Sequence, residues 1–446
     1  MLHILIFLSI SKFAQTSGQN LGSFREVFAW KQMTYDINGL YLLQDRYLGI
    51  DENERTKRQS DQIVFDSEDD QPKPIWMRPK PVSTTARPDA DAGKFFIQYN
   101  NVPMGAEKVG NRLFVALPRR RYGIPSTVNY IDLNEQNGRS PALKPYPNIF
   151  SGRSLVSVYR TRADRCGRLW MVDTGLLELP VNRQQLQPPA IVIFDLNTDQ
   201  QILRYTFKSS DIPSESTPTG LASITVDINA DCSDAYAYVP DLTTLGIIVY
   251  SLKDNDSWRL SHNYFSFNPI AGSLRVSGEF FQWSDGIFSI SLSPASSNGC
   301  RTAYFHPLIS TQEFSVSTCV LKNRTASADR YFFDQFTYLG ERGSRSQSTM
   351  HDYHEPTRVL FFADMGRDAV SCWNTEKPLT PENVGILAQD SERMSYPSDL
   401  HITDDEVWVI ANKLPQFGYS RLNTDQYNFY VYRAHIRDLL PGTVCM

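Results

Sequence analysis

A few acidic, histidine and aromatic residues in this chain have types and spacing that suit chemistry on a small organic molecule. Asp285 follows Trp283 by two positions, which puts a carboxylate beside a flat ring on which a planar ligand could stack. His351 begins a His-Asp-Tyr-His segment, and a neutral imidazole can move a proton near neutral pH. Asp399 offers a second carboxylate. We therefore predict His351, Asp285 and Asp399 as catalytic residues.

The same residues have structural interpretations. An Asp often caps a turn where a strand begins, and a histidine in a hairpin is often exposed. The basic run at 119–121 could hold a substrate carboxylate, although three adjacent arginines more commonly form a solvated turn, which we favour.

Motifs for cofactors and for other enzyme classes are missing from the sequence. It contains neither a GxGxxG nor a Walker-type phosphate loop, no HExxH zinc motif, and no GxSxG nucleophile. We therefore expect no cofactor and no metal. A metal-dependent hydrolase stays an alternative, with Asp285, Gln347 and Asp399 as oxygen ligands for calcium, although no dense carboxylate cluster is visible.

Short β-strands must position these side chains, because alternating or apolar runs punctuated by turn residues dominate the chain. A fuzzy repeat of two strands and a polar turn starts near positions 111, 153, 219, 285, 347 and 398, in steps of about 42, 66, 66, 62 and 51 residues. Six such units predict an all-β fold, a six-bladed β-propeller, whose ring a strand near 28–35 or 95–99 could close.

A propeller places its innermost strands around a central channel, and their starts meet at one mouth. The predicted starts place Thr219, Asp285, Gln347 and Asp399 near that mouth. Besides the catalytic residues, we predict Trp283, Thr219 and Gln347 as substrate-binding residues.

Length and charge restrict the other possibilities. The chain has 446 residues, with 44 Lys and Arg against 49 Asp and Glu, and this slightly acidic balance argues against a nucleic-acid partner. We expect a single propeller domain over 19–446, interrupted by a polar, acidic insertion at 51–92. A basic run at Arg55–Arg58 in this insertion resembles a processing site, although a charged loop is the commoner explanation.

Several signals indicate secretion. Residues 1–18 have an apolar run followed by small and polar residues, as in a signal peptide, and no later segment has the roughly 18 apolar residues of a membrane span. Six cysteines without a CxxC pair indicate three disulfides. Strand geometry supports one pair, Cys300 with Cys319, because 301–308 and 313–320 look like neighbouring antiparallel strands. Asn255 and Asn323 begin N-glycosylation sequons.

Longer phrases resemble a known family. They are FAWK at 28–31, RLFVALPRRRYGIPSTVNYIDL at 112–133, CGRLWMVDTGLLE at 166–178, DAYAYVPD at 234–241, SWRLSHNYF at 257–265, FFQWSDGIFSISLSP at 280–294, CWNTEKPL at 372–379 and NFYVYRAHIRDLLPGTVC at 428–445. In order and over nearly the whole chain, they are similar to the Yellow/major royal jelly protein family. RRRYGIPSTVNYIDL and SQSTMH (346–351) look most like its dopachrome-conversion subgroup.

The resemblance implies a secreted six-bladed propeller, in haemolymph or cuticle, with disulfides Cys166–Cys232 and Cys372–Cys445, which leaves Cys300–Cys319 as the third. It also implies conversion of dopachrome to dihydroxyindoles in melanin formation, without a cofactor. Other members bind biogenic amines or are structural, so a non-catalytic binder of catechol derivatives and a cuticle structural or signalling protein stay alternatives. The expected partner is a small aminochrome or catecholamine-derived ligand, with no nucleic acid and no membrane.

Overall fold

Six similar sheets make up most of the protein. The computed structural model describes residues 20–47, 94–135, 137–179, 183–213, 219–229 and 231–446. Within these ranges, six four-stranded antiparallel sheets follow one another along the chain and form a six-bladed β-propeller, as the sequence predicted. We number the blades 1 to 6 in chain order and give the strands of each from the channel outwards.

Each of the first three blades is a continuous stretch of chain. Blade 1 contains Gly105–Val109, Arg112–Ala116, Val128–Asp132 and Lys144–Pro145. Blade 2 contains Val158–Ala163, Arg168–Asp173, Ala190–Asp195 and Gln200–Thr206. Blade 3 contains Thr225–Ile228, Ala235–Asp241, Gly246–Ser251 and Asp256–Ser261.

The last three blades follow the same order, except that blade 6 takes its outer strand from the N-terminal part of the chain. Blade 4 contains Ile287–Leu292, Thr302–Pro307, Gln312–Ser317 and Phe336–Glu341. Blade 5 contains His351–His354, Val359–Asp364, Ala369–Asn374 and Val384–Gln389. Blade 6 contains Pro397–Thr403, Glu406–Ala411, Phe429–His435 and Arg25–Trp30.

The N-terminal strand closes the ring. Arg25–Trp30 runs antiparallel to Phe429–His435, with Trp30 opposite Phe429. Trp30 is fully buried, and its indole N–H donates at 2.7 Å to the carbonyl oxygen of Pro141, in the loop between the third and fourth strands of blade 1. Burying a large apolar side chain stabilises a fold by roughly 1.5–3 kcal/mol, so this strand holds the first and last parts of the ring together. The prediction that an N-terminal strand completes the last blade is confirmed.

Blade 1 begins earlier than the repeat predicted. The predicted first unit starts at position 111, but the inner strand is Gly105–Val109, and Arg112–Ala116 is the second strand. The inner strand was missed because it contains Gly, Glu and Lys, which are uncommon in strands.

Shorter elements connect the blades. Two-stranded ribbons pair Tyr35–Ile37 with Leu40–Leu42, Arg46–Tyr47 with Lys94–Phe96, Leu176–Glu178 with Arg183–Gln185, and Ser273–Val276 with Glu279–Gln282. The α-helices of the described residues are Thr318–Lys322, Leu414–Tyr419 and Ile436–Leu439. Short 3-10 helices span Gln98–Asn100, Ser151–Ser154, Asn263–Phe265, Pro269–Ala271, Ala326–Ala328, Phe333–Gln335, Met365–Arg367 and Pro381–Asn383. In the part of the chain that is described, none of the helices has the length and apolar character to cross a membrane.

One disulfide joins blades 2 and 3, one lies within blade 4, and one ties blade 5 to the C-terminal segment. The pairs are Cys166–Cys232, Cys300–Cys319 and Cys372–Cys445, as predicted. The strand argument for the second pair holds, because Thr302 lies opposite Ser317 in blade 4. The predicted signal peptide at 1–18, the insertion at 51–92 and the basic run Arg55–Arg58 lie outside the described residues.

Candidate active-site cavity

A cavity of about 280 Å³ opens at the end of the channel where the inner strands begin. This volume is near the lower end of the range for small-molecule sites, roughly 300–1,000 Å³. Every blade, or a loop next to it, contributes to the wall. The apolar and aromatic lining residues include Met104, Tyr159, Leu242, Phe281, Trp283, Phe288, Met365, Tyr396, Phe417 and Tyr419. The charged lining residues are Arg120, Arg121, Arg160, Arg183, Glu178 and Asp285.

Asp285 lies in the cavity wall just before the inner strand of blade 4. Its backbone is fixed, because its carbonyl accepts from the N–H of Ile309 at 3.2 Å. The next residue must be glycine: a Cβ on Gly286 would lie 2.5 Å from the carbonyl oxygen of Phe265. Burial raises the pKa of Asp285 to about 6, although a hydrogen bond with Trp283 and the charge of Arg120 oppose the rise. Asp285 is therefore mostly ionised at pH 7 and close enough to its pKa to exchange a proton.

Arg120, Glu178 and Tyr159 form a second polar group in the wall. The Tyr159 hydroxyl donates to Glu178 Oε1 at 2.7 Å, and Arg120 Nε lies 3.6 Å from Glu178 Oε2. Burial by itself lowers the pKa of Arg120, but Tyr159, Glu178 and Asp285 reverse the effect and raise it, so the guanidinium stays charged. Burial also raises the pKa of Tyr159 well above its ordinary value, which keeps the hydroxyl protonated. The group offers a permanent cation to an anionic ligand.

Two insertions cover one side of the cavity. The ribbon of Ser273–Val276 and Glu279–Gln282 contacts the helix Leu414–Tyr419, where the ring of Phe281 stacks on Tyr419 with centroids 4.8 Å apart. Gln416 Nε2 donates to the carbonyl oxygen of Ser277 at 2.8 Å and fixes the ribbon to the helix. The ribbon thereby holds aromatic side chains against the space where a planar ligand would lie.

Arg160 closes the bottom of the cavity. Its guanidinium crosses the channel from blade 2 and donates to the carbonyl oxygens of Ala222 at 2.8 Å and Ser398. It also lies over the ring of Phe288, 4.8 Å from the centroid. Asp399 Oδ1 is 3.6 Å from Arg160 Nε. These contacts turn a long, flexible side chain into a fixed cationic floor.

Asp399 therefore lies beneath the cavity and not in its wall. It is 1 % exposed, and its Oδ2 accepts from the N–H of Ala106 at 3.0 Å and contacts His401 Nε2 at 3.1 Å. The strand start brings this carboxylate to the channel, but the arginine separates it from the space above. A ligand in the cavity would therefore contact Arg160 and not Asp399.

Thr219 and Gln347 are also outside the set of described residues that line the cavity. Gln347 is buried, and its Nε2 donates to the carbonyl oxygen of Ala271 at 2.8 Å. Thr219 is half-buried and lies before Gly220, whose N–H donates to Asp241 Oδ1 at 2.9 Å. Both residues stand where loops join the blades.

His351 lies between blades 4 and 5, away from the cavity. Its side chain is fully enclosed, with Nδ1 at 2.7 Å from Ser289 Oγ and Nε2 at 3.2 Å from Glu313 Oε1. Both nitrogens face protein groups, so a ligand in the cavity has no contact with this imidazole. Trp283 and Asp285, in contrast, both line the cavity.

The basic run at 119–121 is not the solvated turn that we favoured, because all three residues are half-buried. Arg119 is structural: its guanidinium donates to the carbonyl oxygens of Leu155 at 2.7 Å and Ile124 at 3.0 Å. Arg120 and Arg121 line the cavity.

Comparisons with known proteins identify the family of this chain. The family model described as major royal jelly protein matches residues 156–445. L-dopachrome tautomerase yellow-f of Drosophila melanogaster is 45 % identical over 359 residues, which cover 78 % of this chain and 83 % of that protein. The chain belongs to the major royal jelly protein family, which contains the Yellow proteins. Protein yellow of Drosophila melanogaster is 39 % identical over 372 residues, which cover 81 % of this chain and 68 % of that protein. A solved luciferin-regenerating enzyme is 11 % identical with a TM-score of 0.42, and the match covers 77 % of this chain and 93 % of that chain.

Several cavity residues of this Yellow-family propeller were missed as site candidates. Glu178 and Tyr159 have no distinguishing pattern in the sequence, because single acids and tyrosines are common in strand-rich chains. Tyr419 lies in an insertion that no repeat predicts. A signal was nevertheless present, since Arg120 and Glu178 fall inside two of the phrases that carry the family resemblance.

Proposed function

We propose that this protein converts dopachrome, a planar aminochrome that carries a carboxylate, into a dihydroxyindole. The observation that carries the proposal is Asp285, a carboxylate with a pKa of about 6, set beside Trp283 and Arg120 in a cavity of small-molecule size. The similarity to a relative named L-dopachrome tautomerase supports the same reaction.

The substrate itself supplies the electron sink. When the C–H bond next to the carboxylate breaks, its electron pair flows into the quinone-iminium system, and the ring oxygens end as hydroxyls after a proton is returned to oxygen. A second proton then moves from the neighbouring ring CH2 group to the nitrogen, which completes the indole. If the C–C bond to the carboxylate breaks instead, carbon dioxide leaves and a proton is taken up. Neither route needs an external oxidant or reductant, so the protein has to provide a base, an anchor and a shaped slot.

The cavity residues fit these tasks. Asp285 accepts the proton in its ionised form and returns it to the ring. Arg120 pairs with the substrate carboxylate, because a guanidinium binds a carboxylate through charge-assisted hydrogen bonds. Trp283 and the stacked pair Phe281 and Tyr419 contact the faces of the planar ring and exclude water. In this arrangement His351 and Asp399 do not touch substrate, Asp399 acting through Arg160 as a positioning residue.

A second candidate function is binding without turnover. Two carboxylates, Glu178 and Asp285, stand in a wall rich in aromatic rings, and this combination also suits the ammonium group and ring of a biogenic amine. The two candidates differ in the ligand they predict. The ammonium group of an amine would pair with Glu178 and Asp285, and Arg120 would add nothing to its affinity.

We also propose that the protein is secreted and glycosylated. Three disulfides are typical of oxidising compartments. Asn255 and Asn323 are both exposed. Their turns lie at the ends of blades 3 and 4 that face away from the cavity, where glycans would leave the mouth clear.

The decisive experiment uses the purified secreted protein and freshly prepared L-dopachrome. Saturable loss of the visible absorbance, absent with heat-inactivated protein, supports the enzyme, and chromatography of the product shows whether the carboxylate is kept. Calorimetry with dopamine and serotonin tests the alternative. Tight amine binding without faster loss of dopachrome would indicate a carrier and not an enzyme. If neither turnover nor amine binding were observed, a structural role would remain.

A further inference from the structure

A separate cluster of ligand-type side chains lies between blades 4 and 5. His306 is on the second strand of blade 4, Glu313 is on its third strand, and His351 begins the inner strand of blade 5. The side chains of all three are fully enclosed. One possible ligand atom from each lies within 4.8 Å of the other two.

Hydrogen bonds fix the tautomer of His306. Its Nε2 faces two carbonyl oxygens, of Ser348 at 3.2 Å and of Thr349 at 3.1 Å. Because a carbonyl can only accept, Nε2 carries the proton, and the neutral ring presents a lone pair at Nδ1. This lone pair faces Glu313 Oε2 at 3.0 Å. Two acceptors at this distance repel each other unless something positive lies between them.

A second unpaired contact lies beside the first. Nε2 of His351 is 3.2 Å from Glu313 Oε1, and neither atom has a hydrogen-bond partner among the described residues. The other nitrogen of His351, Nδ1, contacts Ser289 Oγ at 2.7 Å. Protons alone would pair both contacts only if His306 gained one at Nδ1 and His351 carried its own at Nε2, whereas a single cation between the three side chains would satisfy both.

The groups behind these atoms are those found behind metal ligands. A ligating histidine usually donates its other N–H to a carbonyl or a similar acceptor, and a ligating carboxylate is itself hydrogen-bonded. Here Ser348 and Thr349 accept from His306, and Arg342 Nη1 donates to Glu313 Oε2. Arg342 also donates to the carbonyl oxygens of Ser310 and Gln312, at 2.9 and 2.8 Å, so it is held by the outer loop.

We propose that His306 Nδ1, His351 Nε2 and the Glu313 carboxylate bind a divalent transition metal ion, which ties blade 4 to blade 5. Two imidazoles and a carboxylate suit zinc, whereas calcium and magnesium prefer all-oxygen sites. The positive charge of Arg342 lowers the affinity, so the two nitrogen ligands provide most of the binding. The ion has a structural role, since the cluster lies apart from the cavity.

The first test is metal content. The full secreted chain, incubated with excess zinc and then freed of unbound ion by gel filtration, is measured by plasma mass spectrometry. We expect close to one zinc per chain, and less than a tenth of that in His306→Gln and His351→Gln. His354→Gln is the matched control, because His354 is also buried and contacts a carboxylate, Asp405 Oδ1 at 3.0 Å, outside the cluster. This control should keep the metal.

A second test needs no variant, so misfolding of a substituted chain cannot confuse it. A strong chelator should lower the melting temperature of the wild-type protein, and added zinc should restore it, while magnesium should not. Folded wild-type protein that stays below a tenth of an equivalent of metal, with a melting temperature unchanged by chelator, would overturn the proposal. In that case a buried proton shared by His306 and Glu313 holds the cluster.

Discussion

Replacing Asp285 with asparagine should make the protein more stable at neutral pH while it removes the proposed base. Folding raises the pKa of Asp285 from 3.8 to about 6, because burial disfavours its charge. A difference of roughly two pH units corresponds to about 3 kcal/mol at 25 °C. Since the side chain is partly open to the cavity, solvent reduces this figure to about 2 kcal/mol.

The sign of the effect depends on pH. Well below pH 3.8 the carboxyl is protonated in the folded and unfolded chains alike, and folding bears no penalty from it. As the pH rises through about 6, the unfolded chain loses the proton more readily than the folded chain, so the penalty grows and is then complete. Asparagine has nearly the same shape and no charge. Its stabilising effect should therefore be about 2 kcal/mol at pH 7.5 and should fall to about 0.5 kcal/mol or less at pH 4.

Equilibrium urea unfolding with the disulfides intact measures this difference. Asp425→Asn is the control, because it makes the same chemical change at an exposed position and should alter stability little at either pH. The reasoning would be refuted if Asp285→Asn were no more stable than wild type at pH 7.5. A gain that was undiminished at pH 4 would refute it as well, because the penalty assigned to the charge would then have another origin.

Three further substitutions test the cavity and the frame. Arg120→Met should raise the KM for dopachrome at least tenfold, because it removes a charge-assisted hydrogen bond worth about 1.5–3 kcal/mol. An unchanged KM would exclude Arg120 as the residue that binds the substrate carboxylate. Tyr419→Ala removes the stacked partner of Phe281, and such a pair is worth about 0.5–1.5 kcal/mol. Ligand dissociation constants measured by calorimetry should therefore rise about two- to tenfold. The control Tyr331→Ala, at an exposed site, should leave them unchanged. Replacing both Cys372 and Cys445 by serine opens a loop with a sequence separation of 73, which should lower the free energy of unfolding by about 4 kcal/mol. A loss below about 1 kcal/mol would show that the C-terminal segment is held in place without the disulfide.

The fold was predictable because its signals are local and repeated. Alternating strands and turn residues predicted six units, and the antiparallel run around 301–320 predicted Cys300–Cys319 before any resemblance was considered. The first inner strand was missed, because Gly105–Val109 carries few residues typical of strands.

The site was only partly predictable. A residue at the start of an inner strand lies near the channel mouth. Whether its side chain faces the cavity, the channel below or the neighbouring blade depends on the alternation of side chains along the strand. Asp285 faces the cavity, Asp399 lies under Arg160, and His351 points between blades 4 and 5. A register shift between Pro397 and Asp399 further changes which side chains face the channel.

Residues from loops could not be placed by periodicity at all. Glu178 and Tyr419 reach the cavity from a ribbon and a helix that lie outside the repeated unit. Their positions depend on tertiary contacts, such as the stacking of Tyr419 on Phe281, which a one-dimensional pattern does not encode.

The central claim is that Asp285 moves a proton on an aminochrome held in this cavity. The most direct measurement compares wild type and Asp285→Asn for dopachrome turnover as a function of pH, with ligand affinity determined on the same samples. We expect kcat/KM of the wild type to rise with pH through about 6 and then level, and the variant to lose at least a hundredfold in kcat while it binds ligand with similar affinity. Turnover by the variant at the wild-type rate, with the same pH profile, would contradict the account.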